Sequence, residues 1–224
     1  MNKRLLVAGI LAVVAGVVRA LVALALLPIG PRIPLGRMHE LLLVPAIEAA
    51  LPLLVFAVAL AVLQAGLARQ TGRLGWTCAL AATVGVILAT AGASTYWIAT
   101  SYQYTLSPAC QNTASSRALD ALRVAEVAGA LMLAAALLGY TLVAWRTRLP
   151  LGFAGAFAVL SLAALPLLGV LQCSVGGTLT ALSFGVLGYA LNAMWAAGCF
   201  LLAGAAFSAS TPAPVPASVP TAQP

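Results

Sequence analysis

The chain alternates between long apolar runs and short polar breaks. Six runs stand out, at about 5–27, 41–67, 76–98, 118–145, 149–173 and 179–207. The first covers 23 residues. At 1.5 Å per residue it reaches about 34 Å, enough to cross the hydrocarbon of a bilayer. Pro28, Gly30, Pro31, Pro34 and Gly36 break the chain after it. Arg69 and Arg73 mark a basic turn after the second run, and Thr95, Tyr96 and Trp97 close the third with an aromatic interface anchor. Residues 99–117 form the longest polar connection. Arg146 and Arg148 follow the fourth run, and Gly176–Gly177 follows the fifth. The tail, 208–224, is rich in Pro, Ala and Ser, a composition that predicts disorder with local polyproline II.

The pattern predicts an all-α protein, a polytopic transmembrane helical bundle of six spans filling 1–207, with no separate soluble domain. A cleaved signal peptide is the rival reading of the start, because Met1–Arg4 is basic and an apolar stretch leads to Val18-Arg19-Ala20. The apolar run resumes after Arg19 and continues to Leu27, which favours a retained span.

Composition agrees. The chain has 224 residues, 63% hydrophobic and 7% charged, against roughly 25% charged in soluble domains. The net charge of +7 in a soluble protein suggests nucleic acid. Here the cations sit mostly in short loops, so they are read as an orientation signal, with no nucleic-acid partner. With the N-terminus inside, the inner segments hold Lys3, Arg4, Arg69, Arg73, Arg146 and Arg148, and the outer loops hold Arg32, Arg37 and Arg117. Six against three puts both termini in the cytoplasm. One Lys to ten Arg, amid abundant Ala, Leu, Gly and Pro, points to a GC-rich bacterial genome and so to a bacterial inner membrane.

Charges inside the apolar runs are the candidate chemistry. Glu48 stands between Pro45 and Pro52. The Pro52 ring opposes the carbonyl of Glu48, so a bend is expected where the carboxylate sits. A charge at such depth costs about 2.5–3.5 kcal/mol and normally faces a partner or a wet cavity. Arg19 lies eight residues before Leu27, and Glu48 seven after Leu41, so the two fall at matching depth on helices expected to be antiparallel neighbours. Asp120, Arg123 and Glu126 share one face of the fourth run at spacings of three. Five charged groups thus gather in the outer half, with His39 and Glu40 at the mouth. Two readings stay open. The cluster is a set of packing ion pairs, or it lines a water-filled pocket that binds a polar or zwitterionic ligand or relays protons.

Asn192 is expected to hydrogen-bond between helices. The pairs Gly9/Gly16, Gly85/Gly92 and Gly152/Gly155 offer small faces for close helix approach, and Pro166 is expected to kink the fifth span. The string AALPLL occurs at 49–54 and again at 163–168, an offset that raises an inverted three-plus-three repeat of the transporter kind. Cys110 and Cys173 fall on the outer side, where disulfides persist, and form a candidate bridge. Cys78 and Cys199 fall toward the inner side as free thiols. One His with scattered cysteines makes no metal set, and no cofactor is implied. The chain has no Gly-x-Ser-x-Gly, phosphate loop, His-Glu-x-x-His or dinucleotide fingerprint. No lysine inside a span is available for a retinal-type Schiff base. Acid–base catalysis by Glu48 or Glu126 stays open.

The passage from Leu137 to Gly155, LLGYTLVAWRTRLPLGFAG, resembles the fourth-to-fifth helix junction of a group of bacterial six-helix membrane proteins known as a domain of unknown function. The shared pattern is Leu-Gly-Tyr, a short basic turn, Leu-Pro, then Gly in an apolar run, with Leu151 where the pattern carries a basic residue. Trp195 is a further candidate correspondence. The resemblance implies a six-helix fold and no activity. The sequence therefore predicts a non-catalytic multi-pass protein of the bilayer, whose polar cluster binds a small ligand or supports assembly with a membrane-protein partner. The alternative is a small secondary transporter working through Arg19, Glu48 and the Asp120/Arg123/Glu126 face.

Overall fold

The computed structural model describes residues 2–25, 38–105, 113–164 and 181–211, with side chains described for 2–21, 50–92, 121–122, 124–164 and 189–211. These residues form five helices and no strand: α1 (Lys3–Ala25), α2 (Met38–Thr105), α3 (Thr113–Arg146), α4 (Leu151–Ala163) and α5 (Ala181–Ser210). Backbone groups in hydrocarbon must satisfy one another, which in a single segment only a helix achieves. Among the described residues four stretches are long and apolar enough to cross a membrane: Lys3–Leu21, Ala50–Gly92, Val124–Arg146 and Tyr189–Ser210.

The second stretch has 43 residues. Straight, it would run about 65 Å, twice a bilayer. It folds at Gly72, whose backbone (φ 58, ψ −146) is non-helical. That region of dihedral space belongs almost wholly to glycine. The limbs 38–71 and 73–105 double back, so that Leu53 on one and Thr90 on the other line the same cavity. A Cβ on Gly75 would meet Gln64 Oε1 at 2.6 Å, which shows how tightly the limbs meet beside the fold.

The basic turn predicted between the second and third runs is thus a single-residue break between helices that continue up to it. The expected polar connection 99–117 is helical through Thr105 and again from Thr113. Gly72 holds the only non-helical backbone inside α2, so helical backbone continues through Pro45 and Pro52. Pro52 is fully buried, and packing neighbours let membrane helices absorb a proline. Pro166, Cys173, most of the second AALPLL and 212–224 lie outside the described residues.

Helix ends follow from local chemistry. Asn2 caps α1: its Oδ1 accepts from the Arg4 N–H (3.2 Å), and its carbonyl from the Leu6 N–H (3.2 Å). Two residues past the end of α3, Arg148 takes φ 55, while the Leu149 N–H reaches back to the Ala144 carbonyl at 3.0 Å. This is the left-handed helix terminator usually built with glycine. Pro150 then starts α4.

The packed pairs are α1 with α2, α2 with α3, α3 with α4, α4 with α5, and α5 with α1, which closes a ring. The Asn2 N–H donates to the Ser210 carbonyl at 3.2 Å, tying the start of α1 to the end of α5. Close approach uses the expected glycines. A Cβ on Gly85 would meet the Gly129 carbonyl oxygen at 2.8 Å, and one on Gly92 would meet the Glu126 nitrogen at 2.6 Å. Gly155 is different, with nothing within 4 Å.

One half of the ring is filled. Phe56, Leu60, Leu63, Leu137, Tyr140, Phe153, Phe157 and Leu160 are fully buried there, and Tyr140 stacks on Phe157 (4.8 Å, 18°). The polar centre of this plug is Gln64, fully buried. Its Nε2 donates to Thr71 Oγ1 at 2.9 Å, and its Oε1 accepts from the Tyr140 hydroxyl at 3.0 Å. Thr71 in turn donates to the Leu67 carbonyl at 3.1 Å.

Candidate functional site

Beyond the plug the ring is hollow. A cavity of about 250 Å³ is walled by Arg19 of α1, Leu53, Ala89 and Thr90 of α2, Glu126, Ala130 and Leu133 of α3, Ala163 and Ala164 at the end of α4, and Trp195 of α5. Every helix of the ring contributes, so the cavity lies on the bundle axis. Its depth follows from helix rise. Arg19 is 16 residues from Lys3 and Glu126 is 20 from Arg146, which puts the chamber about 24–30 Å from the end that carries those cations.

Most of the lining is apolar, and the polar groups are few. Arg19 Nη1 donates to Asn192 Oδ1 of α5 at 3.0 Å. Its guanidinium carbon stands 5.8 Å from the centre of the Trp195 ring, close enough for a cation–π contact. Trp195 is 3% exposed and meets Phe56 edge-on (5.1 Å, 67°), so its indole is fixed. Thr90 Oγ1 donates to the Val86 carbonyl of its own helix at 2.7 Å. Two donors are left over: Arg19 Nε and Trp195 Nε1 are buried and have no hydrogen-bond partner. A buried donor without an acceptor costs about 1–3 kcal/mol. The wall of this chamber, of on the order of eight water volumes, thus combines a cation, the Glu126 carboxylate and two residues that each hold a buried, unused N–H. With a cation and a carboxylate on one wall, the arrangement suits a small polar occupant that accepts hydrogen bonds.

Arg19 and Glu126, both expected in the polar cluster, share this wall. Arg19 was expected to face Glu48. Among the described residues its partner is the neutral Asn192 of α5, which the ring sets beside α1. Asn192 makes the interhelical bond expected of it. Glu48, His39 and Glu40 fall on the first limb of α2, and Asp120 and Arg123 on α3, but their side chains lie outside the described residues. Cys110 and Cys173 lie outside them altogether. Cys78 and Cys199 are free thiols, the second buried. Among the described residues no group of three or more His, Cys, Asp or Glu is placed to hold a metal.

Sequence reasoning did not single out Trp195 as a wall of this chamber, nor Gln64, Thr71 and Tyr140 as the plug. Gln64 left the clearest trace, as the one amide in the apolar run 41–67. No protein-family model, no curated protein and no solved structure matches the chain.

Proposed function

We propose that the chain is a six-span protein of the bacterial inner membrane with both ends cytoplasmic, whose axial chamber binds a small polar ligand. On this reading the limbs of α2 are two spans, α4 begins a fifth, and the resemblance of 137–155 to the bacterial six-helix group reflects common architecture. Lys3, Arg4, Arg69, Arg73, Arg146 and Arg148 sit at the ends or turns of helices on one side of the bundle, which supports that side as cytoplasmic. The observation that carries the functional reading is the pair of buried, unpartnered donors, Arg19 Nε and Trp195 Nε1, on the wall of the chamber.

Trp195 supplies its own reporter. In a variant with Trp76, Trp97 and Trp145 changed to Phe, the remaining indole emission is followed while small carboxylates and zwitterionic amino acids are titrated into protein in nanodiscs. The expected result is a saturable change with at least one compound that disappears in Arg19→Gln. A flat response across the panel, with melting temperature unmoved by every compound, would sink the binding reading. Uptake of the active compound into proteoliposomes would make the chamber the site of a carrier.

A further inference from the structure

We propose that the basic end of the bundle is a site for one anionic phospholipid, with the headgroup phosphate held between α1 and the first limb of α2. A second cavity, of about 430 Å³, is lined there by Asn2, Lys3, Arg4, Ala65, Gly66 and Arg69. Three of its six lining residues are cations and none is acidic. The four acids of the chain are Glu40, Glu48, Asp120 and Glu126. Glu48 lies 21 residues back along α2 from Arg69, about 31 Å by helix rise. Among the described residues no acidic side chain stands at this end.

The cradle is built before any ligand arrives. Arg4 Nη1 is tied to the Ala65 carbonyl at 3.2 Å, and the Asn2 amide to the Gly66 carbonyl at 3.4 Å. The helices touch at its floor, where a Cβ on Gly66 would meet Leu5 Cδ2 at 2.8 Å. Arg4 is thereby oriented by main chain, while Lys3 and Arg69 are exposed on either side. Phosphate is a fitting anion for such a set, since guanidinium groups match its oxygens and lysine adds a point charge.

A second observation selects a lipid over a free ion. From Lys3, steps of four and three residues along α1 reach Val7, Ile10, Val14, Val17 and Leu21, all large, apolar and exposed. From Arg69, steps back along α2 lead through Ala65 and Ala61 to the exposed Val58, Leu54 and Leu51. These spacings keep each set on one helix face. Both lipid-facing stripes thus end in a cation of the same cavity. A ligand with a phosphate at its head and hydrocarbon behind it covers the charged foot and the apolar walls together. Basic pockets between membrane helices select acidic headgroups on the same grounds.

The test compares binding of phosphatidylglycerol and phosphatidylcholine to the full chain in detergent by native mass spectrometry. The parent is expected to retain phosphatidylglycerol preferentially. Each cation removed should weaken that retention about fivefold, and Lys3→Gln with Arg69→Gln together about 25-fold. Arg4 is left intact because it also braces Ala65. The control, Arg146→Gln with Arg148→Gln, removes the same charge from residues that do not line the cavity and should change retention little. Phosphatidylcholine binding and the melting temperature in phosphatidylcholine should stay as in the parent for both variants. Equal losses in the two double variants would overturn the proposal in favour of general surface charge. Unchanged retention in Lys3→Gln/Arg69→Gln would overturn it outright. Displacement of the lipid by inorganic phosphate alone would overturn the lipid assignment.

Discussion

Gly72→Ala isolates the backbone cost of the fold in α2. At φ 58, ψ −146 an L-residue is strained by about 1–3 kcal/mol. The added methyl group meets nothing, because no atom lies within 4 Å of the position it would take. The unfolded chain also loses freedom when glycine becomes alanine, which favours the folded state by about 0.4–1 kcal/mol. The net expectation is a loss of about 1–2 kcal/mol. The matched comparison is Gly155→Ala, where a Cβ again meets nothing, but within a helix. There alanine should be neutral or stabilise by up to about 1 kcal/mol. Both variants make the same chemical change in open space, so their difference reports the dihedral angles alone. Reversible unfolding in mixed micelles, with dodecyl sulfate as denaturant and far-ultraviolet circular dichroism as signal, measures it. If Gly72→Ala proves as stable as Gly155→Ala, the limbs do not reverse through a strained glycine and the hairpin description of α2 is wrong.

Four further outcomes are expected. Gly129→Ala places a methyl on the backbone nitrogen of Ala89 and 2.7 Å from the Gly85 carbonyl oxygen, so α2 and α3 must separate. Overpacking of this kind costs about 1–3 kcal/mol, read as a lower melting temperature in detergent. Tyr140→Phe removes the hydroxyl that Gln64 Oε1 accepts while keeping the ring stacked on Phe157; unfolding should show a loss of about 0.5–1.5 kcal/mol. Arg148→Gly relieves a positive φ at a helix terminus and should raise stability by about 1 kcal/mol, a gain that an unchanged melt would contradict. If Glu48 takes part in binding, Glu48→Gln leaves the yield of folded protein unchanged while abolishing the Trp195 response to ligand; equal loss of folded protein identifies Glu48 as a strut.

The helices were legible because apolar runs of bilayer length leave the backbone few alternatives. The basic residues at helix ends could be counted from the letters in the same way. Gly72 was not distinguishable, being one of 20 glycines, and no local pattern states which of them takes a positive φ. Pro52 leaves the helical backbone unbroken, since its effect depends on neighbours that the sequence does not name. Arg19 was matched to Glu48 because charges attract and sequence neighbours tend to pack. Ring closure also brings α5 beside α1, so an amide accepts from Arg19, a contact that sequence proximity does not suggest. Gln64, Thr71 and Tyr140 are separated by up to 76 residues and carry no charge, so nothing in the chain marks them as one network.

The bond between Arg19 and Asn192 joins groups 173 residues apart in the chain. A ribosome adding about 5–20 residues per second needs roughly 9–35 s to make that interval. For most of it the guanidinium is outside the ribosome while the amide that receives it does not yet exist. The first helix must therefore wait beside water, a translocase groove or an acidic headgroup until the last one is released. Slowing translation between codons 25 and 192 should prolong that exposure, making this arginine a sensitive gauge of how the cell shelters unfinished membrane proteins.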